Sequence, residues 1–304
     1  MTLTAIPGVE VGHWTDPVAR TGVTVITFPE PNVAAVEVRG GAPGSREIAI
    51  LGPGMRVETI QALVFSGGSA FGLASADGVM RRLEADGRGH PTLVGRVPIV
   101  PAAVVFDLAV GDATVRPGPE EGASAYDARS SDPVVAGKIG AGTGASVAAW
   151  RGPDARRDGG IGSAAVPVAG PNGGDGPGGE GTVAALVVVN AVGDAFTLEG
   201  EPLTGGPHVP AQVPVRPPAV MEQTTLVAVA VDARLSRAEL SRVIIRSHDA
   251  LGVCFRPAHT RFDGDAVFAV ATGGEPADVE AVAEAAFEAT GRAIEVAVRA
   301  AEGS

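Results

Sequence analysis

Three short runs, Ala184 to Asn190, Leu226 to Val231 and Ala266 to Ala271, are apolar at every position except the closing Asn190, and valine-rich. A strand with one wet face alternates apolar and polar residues. A strand apolar on both faces must be covered on both. Any fold for this chain therefore has to bury at least three strands between other layers. Helices suited to the covering follow from apolar spacing: Gly72 to Asp86 (Leu73, Ala76, Val79, Met80, Leu83), Ser236 to Ala250, and Ala277 to Ala300, where Asp278 and Glu280 favour the N-terminus. Thr21 to Phe28 and Val33 to Val38 read as further strands, Glu58 to Ser66 as a helix turning into a strand, and Val97 to Val105 as a short strand broken by Pro98 and Pro101. The sum is a layered α/β sandwich.

Composition agrees with a large core built from small side chains. Of 304 residues, 45% are hydrophobic and only 4% aromatic, so Ala and Val must do the filling. The net charge of −12 argues against nucleic acid or an anionic membrane as a partner. No run approaches the roughly 20 apolar residues of a membrane helix, and Met1-Thr2-Leu3-Thr4 lacks a basic stretch leading into an apolar core. The reading is a cytoplasmic protein. One cysteine, Cys254, excludes an internal disulfide framework and a cysteine-based zinc site; it sits in a strand-like run, Gly252 to Phe255, as a buried thiol.

Two segments read as loops. Pro167 to Gly181 carries seven glycines in fifteen positions, and Gly200 to Pro218 carries six prolines. The second ends just before Gln223-Thr224-Thr225, which opens the Leu226 strand. A threonine at the mouth of a buried strand, reached through a long linker, suits the concealed nucleophile of a self-cleaving precursor. Cutting Gln223–Thr224 would give Thr224 a hydroxyl together with a free α-amine, whose pKa of about 7.7–8.0 lets it act as that hydroxyl's own base. The alternative is an ordinary strand start, which threonine also favours.

Other constellations divide in the same way. The turns Gly67 to Gly72, Gly140 to Ala145 and Gly159 to Gly162 lack the Lys-Ser/Thr of a phosphate loop. Ser69 reads as a helix N-cap ahead of a nucleophile. The five histidines form no i,i+4 pair, and His248 reads as a helix-end residue. Asp263 and Asp265, two apart before a strand, share one face and can orient a hydroxyl or hold an ammonium, though Asp-Gly-Asp also suits a surface turn. Asn190 closes an apolar run; its amide is either an oxyanion donor or a turn residue.

Taken in order, Ile6 to His13, Thr21 to Val25, Arg39 to Gly44, Gly67 to Leu73, Gly140 to Ala145, Val189 to Asp194, Thr224 to Leu226 and His259 to Asp265 resemble the L-aminopeptidase/D-esterase family. That family includes the β-peptidyl aminopeptidases and the nylon-oligomer endohydrolases. The resemblance implies a single catalytic domain, residues 1–304, with a four-layer αββα sandwich of N-terminal-nucleophile-hydrolase (Ntn) type, the DOM fold. It implies self-cleavage into residues 1–223 and 224–304, hydrolysis of peptides or small amides without metal or cofactor, and a homo-oligomer such as a tetramer. By the same resemblance Thr224 is the nucleophile, Asn190 the oxyanion donor, and Asp263 and Asp265 the acidic pair beside it.

Two positions depart from the family. The residue before the nucleophile is usually Asn in threonine-type members and is Gln223 here. The family also places a lysine directly before its Gly-Gly-Ile/Leu-Gly, where this chain has Asp158. A carboxylate there would oppose a developing oxyanion, with Lys138, Arg156 and Arg157 as the cations able to offset it. Two hypotheses follow: a self-processing threonine amidohydrolase, or an uncleaved, weakened homologue acting as a binding or scaffold protein.

Overall fold

The computed structural model describes residues 1–168, 181–206 and 222–303. Two five-stranded sheets carry the fold. In chain order their strands are β1 (Glu10–Asp16), β2 (Thr21–Thr27), β3 (Val33–Val38), β4 (Ser45–Arg46), β5 (Ala62–Ser66), β6 (Ala102–Val104), β7 (Gly160–Pro167), β8 (Thr182–Val189), β9 (Leu226–Val231) and β10 (Ala266–Ala271). The first sheet runs β1-β2-β5-β6-β4 and the second β7-β8-β9-β10-β3. The helices are α1 (Ser75–Ala85), α2 (Pro119–Asp127), α3 (Arg237–Cys254) and α4 (Val279–Glu302).

Strand alternation sorts the side chains into layers. In β9, Val227, Val229 and Val231 point into a core shared with α3 and α4, while Leu226, Ala228 and Ala230 point into the core between the sheets. In the first sheet Val23, Val25 and Val64 pack under α1 and α2, and Ile26, Leu63 and Phe65 face the second sheet. Phe65 meets Phe268 across the gap with ring centroids 5.9 Å apart. The result is the expected αββα sandwich. Burying each Val, Leu, Ile or Phe contributes about 1.5–3 kcal/mol. Where α4 crosses β7, Gly162 is required, because a Cβ there would lie 2.0 Å from the Ala293 carbonyl oxygen.

Several local expectations differ. Only Ala62–Ser66 of the 58–66 stretch is regular structure, and it is strand throughout. Ser69 is no N-cap: it has φ +54° inside a 3-10 turn, Ser69–Ala74, that precedes α1. Cys254 closes α3 rather than lying in a strand, because apolar residues continue at helical spacing (Ile244, Leu251, Cys254) into the core shared with α4. Burial pushes its thiol pKa up to about 12. Most of both glycine- and proline-rich loop segments lies outside the described residues.

Candidate active site

The register of the second sheet builds the site. β9 pairs in parallel with β10, Leu226 opposite Ala266, and the same offset of forty carries back to a bridge between Gln223 and Asp263. Thr224 is thus set beside Gly264, and Thr225 beside Asp265. On its other side β9 runs antiparallel to β8, Val188 opposite Leu226, which brings Asn190 against Thr224: the Thr224 N–H donates to the Asn190 carbonyl at 2.7 Å. All four residues expected at the site, Thr224, Asn190, Asp263 and Asp265, are brought together, and all are buried.

Around the Gln223–Thr224 bond the hydrogen bonds are specific. The Thr224 hydroxyl donates to the Gln223 carbonyl at 2.7 Å. The same carbonyl accepts the Gly264 N–H at 2.9 Å. Asn190 Oδ1 accepts the Ser146 N–H at 2.9 Å, which fixes the amide, and its Nδ2 is buried without a partner among the described residues. A buried amide donor left open is costly unless something arrives to use it. Ser146 also receives the Gln223 side-chain amide, Nε2 to Oγ, at 3.4 Å.

The two carboxylates hold different neighbours. Asp265 accepts the Thr225 N–H at 2.8 Å through Oδ1 and meets His259 Nδ1 at 2.8 Å through Oδ2. Asp263 accepts the Val192 N–H through Oδ1, and the Thr260 N–H and hydroxyl through Oδ2. It therefore pins the Asn190–Val192 turn to the 260–263 turn, a scaffolding role the sequence pattern does not display. Burial, and then the charge of Asp265, push the Asp263 pKa up to about 7. Burial disfavours charge on His259, yet the hydrogen bond and charge of Asp265 outweigh it and hold the imidazole above its ordinary value. His248 packs edge-on to His259, centroids 5.0 Å apart, within α3 rather than at its end. Burial, then the charge of His259, lower its pKa to about 3.

Asp158 does not stand bare toward the site. It forms ion pairs with Arg20 at 2.5 Å and Lys138 at 3.1 Å. Burial works to raise its pKa, but those two cations prevail and lower it. The carboxylate at position 158 is thus paired with two cations from elsewhere in the chain, Lys138 being one of the three singled out from sequence. The residue pair Arg157–Asp158 lies antiparallel to Ser146–Val147, one strand away from Asn190. Among the described residues no group of three or more His, Cys, Asp or Glu could hold a metal ion, and no helix is long and apolar enough to cross a membrane.

The sequence matches the profile of peptidase family S58 over residues 2–304. The chain belongs to peptidase family S58. An uncharacterised aminopeptidase of Mycobacterium leprae is 40% identical over 99% of this chain and 91% of its own length. A 6-aminohexanoate-oligomer endohydrolase of Paenarthrobacter ureafaciens is 29% identical over 88% of this chain and 73% of its own. Among solved structures, the L-aminopeptidase D-Ala-esterase/amidase of Ochrobactrum anthropi, described as a variant of the Ntn-hydrolase fold, superposes with a TM-score of 0.75 at 22% identity, covering 99% of this chain and 86% of that one. A Burkholderia β-aminopeptidase gives 0.72 at 23%, covering 99% and 85%. This S58 member is accordingly a hydrolase of peptide or amide bonds with an Ntn-type αββα fold. Sequence reasoning had assigned no role to Ser146, Gly264, His259 or Arg20. The parallel offset of forty would have found Gly264; nothing local points to Ser146 or Arg20.

Proposed function

We propose that this S58 hydrolase is an N-terminal-threonine enzyme that makes its own nucleophile at Thr224. The observation that carries this is the Thr224 hydroxyl resting 2.7 Å from the Gln223 carbonyl oxygen, a carbonyl already polarised by the Gly264 N–H. In self-cleavage the Thr224 Oγ bonds to the Gln223 carbonyl carbon, the C–N bond to Thr224 breaks, and the nitrogen takes up a proton. Water then hydrolyses the ester, leaving a carboxylate on Gln223 and a free amine and hydroxyl on Thr224. In turnover the amine takes the hydroxyl proton, the oxygen attacks the substrate carbonyl, the released amine product receives the proton, and water then hydrolyses the Thr224 ester to free the acid product and restore the hydroxyl. The open Asn190 Nδ2 is suited to the oxyanion; one such donor is worth about 10²–10³ in rate.

Peptides and short amides are the substrate class, as for the aminopeptidases and oligomer hydrolase this chain is similar to. Asp263 and Asp265 set the electrostatics around Thr224, and the Arg20 and Lys138 pairs on Asp158 favour this reading over an uncleaved scaffold. A cytoplasmic homo-oligomer is the matching form. The test uses aminoacyl p-nitroanilides: Thr224→Ala abolishes both cleavage and hydrolysis, and Thr224→Ser retains measurable amounts of both. A Thr224→Ala protein that still cleaves at this bond or hydrolyses anilides overturns the assignment.

A further inference from the structure

A cleft of about 450 Å3 opens beside the site, and its chemistry is unlike that of the protein as a whole. Its walls include Arg20, Arg156, Arg157, Val110 and Ser146, with Asp158 the only carboxylate among the described lining residues. Lys138 approaches the same carboxylate at 3.1 Å. One anion is therefore set among four cations, in a chain whose net charge is −12. Asp158 occupies Arg20 and Lys138. Arg157 uses its Nη1 on backbone carbonyls of Asp154 and Arg156. Arg156 Nε is buried with no hydrogen-bond partner among the described residues. An unpaired buried guanidinium nitrogen is costly, so it points to an arriving acceptor.

The cleft meets the reaction through Ser146. Self-cleavage and turnover pass through the same kind of ester on Thr224 Oγ, so the residue before Thr224 in the precursor marks where a substrate's acyl residue goes. That residue is Gln223. Its side chain reaches the Ser146 hydroxyl in the cleft wall, and its Oε1 is buried without a partner among the described residues. A glutamate side chain is the same length as glutamine's, and its carboxylate would accept from Ser146, a residue of the wall that also carries Arg20, Arg156 and Arg157.

We infer that this cleft is an anion-selective acyl subsite, and that the preferred substrates carry a side-chain carboxylate on the residue whose carbonyl is attacked, glutamyl before aspartyl. The inference rests on Thr224 as the nucleophile. A glutamyl substrate gains a charge-assisted contact that its glutaminyl isostere lacks, and a lysyl substrate meets repulsion.

The experiment compares kcat/KM for Glu-, Gln- and Lys-p-nitroanilides with the purified protein at low and high salt, alongside calorimetric binding of free glutamate and glutamine. The Glu:Gln ratio is expected to be at least about tenfold at low salt, to shrink at 1 M salt where screening acts within about 3 Å, and to fall severalfold in Arg156→Gln with the melting temperature maintained. Equal rates for the three anilides, or a lysyl preference, overturn the subsite while leaving the nucleophile assignment standing. If no anilide is hydrolysed and Thr224 is uncut, the nucleophile reading fails. Binding then decides the cleft: preferential binding of glutamate that Arg156→Gln removes supports an anion site, and equal or absent binding overturns it.

Discussion

Gly264→Ala isolates the geometry of self-cleavage from its chemistry. The Gly264 φ lies outside the left-handed region, so the added methyl strains no backbone torsion. It is blocked by neighbours instead: a Cβ would stand 2.5 Å from the Ala42 carbonyl oxygen, 2.7 Å from Thr224 Oγ and 3.0 Å from Pro43 Cα. Two of these atoms belong to backbone; the Thr224 hydroxyl alone moves by a single rotation. Reaching an ordinary contact of 3.4 Å asks the hydroxyl to retreat by about 0.7 Å, the difference between 3.4 and 2.7 Å. That takes it off the Gln223 carbonyl. Overpacking of this kind costs about 1–3 kcal/mol of stability, and a misplacement near 1 Å at a reacting atom costs up to about 10² in rate. The assay is a time course of chain cleavage on denaturing gels after rapid refolding, beside thermal melts. Cleavage should slow by about 10–100-fold in protein that remains folded. A folded Ala variant cleaving at the native rate would refute the placement of Thr224 against Gly264.

Other outcomes follow from the charges. Asp158→Lys should lower the melting temperature by a few degrees without accelerating hydrolysis, since it replaces the anion between Arg20 and Lys138 by a third cation; at an effective dielectric of about 20 each like-charge contact near 4 Å costs up to about 4 kcal/mol, reduced to about 1–2 kcal/mol overall by exposure to solvent. A stabilised or faster Lys variant contradicts the pairing. Asp263 sets a pH dependence: with a folded pKa of about 7 against an ordinary 3.8, the folded chain binds a proton between those values that the unfolded chain has lost. Its contribution to stability therefore declines as pH rises from about 4 to 7 and is level above. Asp263→Asn should flatten that slope in denaturant titrations, and an unchanged slope would assign the proton elsewhere.

The layered fold was legible because burial on both faces leaves its mark in sequence: Leu226 to Val231 and Ala266 to Ala271 had no polar face to hide. The position of Thr224 at the strand mouth was legible for the same reason. Helix ends were less so; α3 runs to Cys254, with Leu251 and Cys254 in the core shared with α4, a tertiary packing that overrides the strand propensity of Val253, and extended structure begins only at Phe255. Charge partners were legible only in part. Lys138 was among the cations named for Asp158, but the second partner, Arg20, lies 138 positions away. Asp263 and Asp265 looked equivalent, yet one tethers two turns and the other holds His259 and the Thr225 amide, a division set by loops that only the folded chain brings near.

The most direct test of the account is the intact mass of the purified protein, with Edman sequencing of the smaller species. Two chains of 223 and 81 residues are predicted, the shorter beginning Thr224-Thr225-Leu226 and their masses summing to the precursor plus one water. A single uncut chain of 304 residues that nonetheless hydrolyses amides, or a small chain beginning at any other residue, would contradict it.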